Sequence, residues 1–185
     1  MEVLNIQSLP KTKNSELGEL NRPKRLTLAE FNALPVTAAE AELREKIYFL
    51  EHLVYTHPES VSGDAFDEAM PAVHRFAPGV YTRELTIPPG QIVVGKRHAV
   101  EHMVMLIAGK CICVTERGVE EMVAPCHFTS PAGEKRVVLT TDSSATWVTI
   151  HPTNETDLDK IEADVIIAEP ERILAYEKQK LIGRN

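Results

Sequence analysis

Between Gly79 and Pro152 the chain breaks into short alternating or β-branched runs, each closed by a turn signal. That rhythm restricts the fold more than any other feature. The runs 80–87, 92–94, 100–107, 110–116, 120–123, 127–130, 136–140 and 146–151 read as strands. Pro88-Pro89-Gly90, Gly109, Gly118, Pro125, Pro131-Ala132-Gly133 and Asp142-Ser143-Ser144 punctuate them. Seven or eight short strands at this spacing predict a mainly β sandwich or small barrel.

The flanks have a different grammar. Residues 1–36 form an N-terminal arm in which Pro10, Gly18 and Pro23 interrupt periodicity and apolar residues stand alone, a segment that is disordered or held on a partner surface. The basic run Arg22-Pro23-Lys24-Arg25 reads as solvated charge. A helical segment, 37–78, opens on the capping box Thr37-Ala38-Ala39-Glu40 and continues with Leu43, Ile47, Leu50 and Val54 on one stripe, Phe49 and Leu53 beside it, up to His57-Pro58. That stripe fits packing on the chain's own barrel, and equally a homo-oligomer joined through the 37–55 helix. Residues 59–77 form a mixed connection with a short helix around 64–70. The core spans 79–152, and 153–185 is a C-terminal helical segment, with helices expected over 158–167 and 170–182, Pro170 suiting a first turn.

Composition narrows the partners. With 27 acidic against 20 basic residues the formal charge is −7, so nothing points to general nucleic-acid binding. The opening Met-Glu-Val-Leu-Asn lacks a signal-peptide pattern, and no stretch nears the ~18 apolar residues of a membrane span. Three cysteines, Cys111, Cys113 and Cys126, do not make a secreted disulfide framework, so the expected compartment is cytoplasmic.

The chemistry-bearing stretch runs from Gly95 to Gly109. Were it one strand, Lys96, His98 and His102 would share a face, with the two imidazoles about 13 Å apart, too far for one metal unless a bulge or turn intervenes. Cys111 and Cys113 share a strand face as small hydrophobes. Cys126 and His127 point to opposite faces and make no nucleophile–base dyad, Trp147 fills the core, and His151 caps a sheet edge.

Gly95 through Gly109, with Pro131-Ala132-Gly133-Glu134-Lys135-Arg136, resembles the two motifs of the cupin superfamily. The resemblance implies a cupin double-stranded β-helix, or jelly-roll, barrel carrying an N-terminal arm and helix and a C-terminal helix. It places Lys96 at the first metal-histidine position, His98 at the second, His102 at the glutamate position and Arg136 at the last histidine. Residues 81–162 also resemble cupin-like proteins of tailed bacteriophages, which would put the chain in a host cytoplasm or virion, against a phage particle or host protein.

Arg136 keeps its proton and cannot ligate, and Lys96 could only when deprotonated. A mouth holding Lys96, His98, His102 and Arg136 therefore suits a small anionic ligand. A divalent metal on His98 and His102 with Glu101 as oxygen ligand, and an inert core of hydrogen-bonded histidines, are the other readings. The function classes that follow are an anion-binding cupin module, a metal-dependent cupin isomerase, lyase or oxygenase, and a phage structural protein using the barrel as a rigid block.

Overall fold

The computed structural model describes residues 24–172 with 174 and 175; most of the arm, 1–23, and the greater part of the helix expected over 170–182 lie outside them. Eight strands make one curled antiparallel sheet: β1 (Val73–Ala77), β2 (Val80–Ile87), β3 (Ile92–Val94), β4 (His102–Thr115), β5 (Gly118–Val123), β6 (Cys126–Ser130), β7 (Val137–Leu139) and β8 (Ala145–Pro152). Their order is β1-β2-β8-β4-β7-β3, with β5 and β6 also paired to β4. This mainly β, curled arrangement is the jelly-roll type of fold expected.

Strand β4 explains the curl. Its first half pairs with β6 and β8, and its second half with β5 and β7, so one strand belongs to both faces of the fold. The switch comes at a register break between Leu106 and Ala108, followed by Gly109 at φ +78°. A Cβ there would sit 1.7 Å from the Ser144 carbonyl oxygen, so only glycine lets the strand turn this corner. Runs 100–107 and 110–116, expected as two strands, are therefore one. Between the faces lies a core of Leu85, Ile87, Val104, Leu106, Cys111, Cys113, Met122, Val138 and Trp147.

Two boundaries move. Residues 73–77, read as connection, form β1, paired in register with β2 from Val73 opposite Glu84 to Ala77 opposite Val80. The end of the arm does not wait for a partner: a capping box at Thr27 starts α1 (Leu28–Asn32), and Phe31, 3% exposed, packs with Ala99, Val100 and Ile167 of the same chain. Lys24 pairs with Glu30, and Arg25 donates to the Ala163 carbonyl at 2.5 Å, so these two charges of the basic run are spent locally. The other helices are α2 (Ala38–Thr56), capped by Thr37 and Glu40 as expected, α3 (Asp64–Ala69) and α4 (Leu158–Val165).

Helix α2 lies on its own barrel. Ile47 is fully buried, while Phe49 and Leu53 remain exposed. The seam is ionic as well as apolar, and its centre is Arg97, whose exposure is zero. Arg97 donates to Glu116 at 2.7 Å, to the Tyr48 hydroxyl at 2.9 Å, to Glu169 at 3.5 Å and to the Gly133 carbonyl, with its guanidinium 4.0 Å over the Phe31 ring. Lys135, 3% exposed, bonds Glu51 of α2 and Glu169. A buried cation of this kind is stable only while its carboxylates remain, and those carboxylates only while it remains. We expect Arg97→Met to cost about 3–5 kcal/mol in urea unfolding, because Glu116 is left buried with its nearest charge removed; a loss under about 1 kcal/mol would contradict this role for the network.

Candidate functional site

The histidines meet because residues 95–101 are not a strand. This segment is threaded between two others: Gly95 N–H donates to Arg136 O and Gly133 N–H to His98 O, while Ala99 N–H donates to Val165 O and Ile167 N–H to Arg97 O. Arg97 is pinned on one side, Ala99 is buried, and the chain turns through 98–101 before β4 starts at His102. His98 thus folds back on His102, with ring centroids 4.1 Å apart. The turn required by the extended-strand distance is present.

A third imidazole arrives from β8. The registers align the inward residues of neighbouring strands into rows: Tyr81 lies opposite His151 and His102 opposite Ser130, and extending the β4–β8 register places His151 beside His102. The His151 ring lies 4.6 Å from that of His102 and 5.2 Å from that of His98. One ring nitrogen from each of the three falls within 4.8 Å of the others, the one cluster of this kind among the described residues. On the far side Tyr81 stacks on His151 at 6.1 Å, and its hydroxyl bonds His74 Nδ1 at 2.8 Å.

These rings are neutral. Burial drives the His98 pKa to about 2, aided by the charges of His102, His151, Arg136 and Arg83. Burial likewise takes His102 to about 4, the Arg136 charge adding to it, and His151 to about 3. His102 Nδ1 lies 3.1 Å from the Val100 carbonyl; a carbonyl only accepts, so Nδ1 carries the hydrogen and Nε2 offers a bare lone pair. That Nε2 is buried without a partner, as are His98 Nδ1 and His151 Nδ1. Three imidazoles that converge on one point, each with a buried nitrogen lacking a partner, are what a metal would satisfy, and an imidazole oriented by a backbone carbonyl is the usual way to aim one. The residues fit a metal. The 4.8 Å spread exceeds the roughly 3.4 Å edge of a tetrahedral nitrogen site, so binding would draw the rings slightly together.

The other expected residues fall elsewhere. Lys96 is turned outward and pairs with Glu162 of α4 at 2.5 Å, outside the cluster, because its segment runs past that helix. Glu101 is exposed and gives no ligand atom to the cluster, since it precedes an inward-facing His102. Arg136 is close, but its charge is met by Glu134 and it donates to Ser130 Oγ at 3.1 Å, with its guanidinium 4.9 Å over Phe128. It lines a cleft of about 740 Å³ with Cys113, Met122, Cys126 and Phe128. His151 was expected at a sheet edge; it is 2% exposed and faces inward. Its signal was parity with Trp147, the core tryptophan four residues earlier. Arg83 was also missed, though it shares parity with the buried Tyr81 and Leu85. Cys111 and Cys113 are buried in the core, their thiols pushed up to about 12 and about 11 chiefly by burial, so neither is a ready nucleophile.

No protein-family profile matches the chain, and no curated protein does. Its likeness is to solved structures. A sugar phosphate isomerase from a cupin superfamily, from Silicibacter pomeroyi, is 21% identical over 51% of this chain and 68% of its own, at a TM-score of 0.41. A cupin domain from Bordetella pertussis is 20% identical over 45% and 93%, at 0.37, and a cupin protein from Bacteroides fragilis 18% identical over 55% and 87%, at 0.37. The likeness concerns the fold and leaves the bacteriophage resemblance untouched.

The depressed histidines make acid sensitivity a test of the cluster. Where the unfolded chain binds protons at its ordinary pKa, near 6.5, and the folded chain does not, stability is full above that pH and falls as pH drops toward the folded values. We expect the urea midpoint of protein stripped with chelator to fall from pH 7.5 to 5.0. The fall should be largely absent in the triple variant His98→Gln, His102→Gln, His151→Gln. An equal fall in both proteins would remove the histidines as its cause.

Proposed function

We propose that this chain is a cupin-type binding protein that holds a divalent transition metal on His98, His102 and His151 and presents it to a small anionic ligand. The observation that carries the reading is the convergence of three neutral imidazoles, each of which has a buried nitrogen without a partner. Imidazole donors suit zinc, copper, iron or nickel. When bound, a metal on three protein nitrogens would supply a Lewis-acidic position for a ligand oxygen.

The chain's own residues do the rest. Val100 O fixes the tautomer of His102, and Tyr81, stacked on His151 and bonded to His74, backs the cluster on one side. Because the rings shed their protons far below neutral pH, metal uptake here would displace few protons. The departure from the cupin pattern at Lys96 and Arg136 is made good by a histidine from β8, outside both motifs.

A second reading concerns assembly. The exposed pair Phe49 and Leu53 on α2 supports a homo-oligomer formed through this helix. Bacteriophage origin, with a place in a particle or against a host protein, rests on the sequence resemblance alone. Among the described residues no helix is long and apolar enough to cross a membrane.

The test of the metal reading is stoichiometry. Protein stripped with chelator and dialysed against zinc or cobalt should bind about one equivalent by mass spectrometry. His151→Ala should lose it as completely as His98→Ala or His102→Ala, whereas Glu101→Ala and Lys96→Ala should retain it. Retention in His151→Ala would refute the three-histidine centre.

A further inference from the structure

We propose that Arg83 receives the oxyanion of the ligand, a carboxylate or phosphate, inside the barrel one residue row below the histidines; this rests on the binding reading above. The rows define the place. Below Tyr81–His151–His102–Ser130 the registers align Arg83, Thr149, Val104 and Phe128, all on the inward face. Arg83 lies between Tyr81 and Leu85, both buried, and is itself half-buried.

Its guanidinium lacks an internal partner. Of the four cations around this end of the barrel, Lys96 pairs with Glu162, Arg97 with Glu116 and Glu169, and Arg136 with Glu134. Among the described residues Arg83 has no side-chain hydrogen bond and no ion pair; its backbone carbonyl faces the Thr149 hydroxyl at 3.5 Å. The guanidinium of this half-buried residue offers five donors in a fixed fork that matches the paired oxygens of a carboxylate or phosphate. Its charge reaches His98, Tyr81 and His74, which places it beside the cluster. Arg136 stands at the opposite end of the row, over Phe128, already neutralised. An anion entering beneath the histidines therefore meets one uncommitted cation.

The experiment titrates inorganic phosphate and, separately, acetate into cobalt-loaded and metal-free protein. The readouts are the visible cobalt spectrum and the Arg Nε–Hε NMR signals, with that of Arg83 assigned by its loss in Arg83→Gln. We expect the Arg83 signal to move saturably in at least one titration. Arg83→Gln should weaken binding at least about tenfold, the low end for a charge-assisted pair, with cobalt stoichiometry unchanged, while Arg83→Lys retains part of the affinity. The preferred anion distinguishes a carboxylate ligand from a phosphate. An Arg83 signal that moves with neither anion, or an Arg83→Gln affinity equal to wild type, overturns the assignment. If cobalt fails to bind, the metal reading fails first, and the metal-free titration still decides on Arg83.

Discussion

A single buried guanidinium organises this molecule. Arg97 has no exposed surface, yet it touches the arm through Phe31, the long helix through Tyr48, β4's end through Glu116, the 131–136 loop through Gly133 and the C-terminal segment through Glu169. Desolvating such a cation is expensive, and the arrangement persists because each acceptor arrives from a different part of the chain. The parts that sequence reading separates into arm, helix, barrel and tail are therefore joined by charge where the apolar core does not reach.

The site follows from that pinning. With Arg97 drawn toward the helix seam, the next residue cannot continue a straight strand, and the backbone bonds to Glu134, Val165 and Ile167 hold it in the turn. His98 is thereby brought over His102, while the β2–β8–β4 register brings in His151. Folding leaves three buried nitrogens without partners, a cost that a closed core would have avoided by using apolar residues. Three buried imidazoles meeting at one point, each with an unmet nitrogen, are the basis of the proposed metal site.

Much of the fold was legible from residue pattern. Strands 80–87 and 92–94 and the capping box at Thr37 stand where alternation and local chemistry put them, because those signals are set within a few residues. Val73–Ala77 was not legible: His-Arg-Phe-Ala lacks a β-branched run, and it is a strand because β2 offers it an edge. Gly109 reads as a stop, but its positive φ lets one strand serve both faces. At the site, His98 and His102 are readable as a pair, whereas Lys96 leaves their face because strand parity does not hold through a segment that is not extended, and Glu101, read as an oxygen ligand if the strand kinks, stays exposed outside the cluster. Arg97 had no signal at all, since its partners lie up to 72 residues away in sequence.

The central claim is that His98, His102 and His151 act together as ligands of one metal. X-ray absorption fine structure on the zinc-loaded protein tests it most directly, since imidazole rings leave a multiple-scattering signature that oxygen and sulfur ligands lack. The account requires about three imidazoles with zinc–nitrogen distances of roughly 2.0–2.1 Å. A spectrum fitted by one imidazole or none, or by sulfur at roughly 2.3 Å, would contradict it.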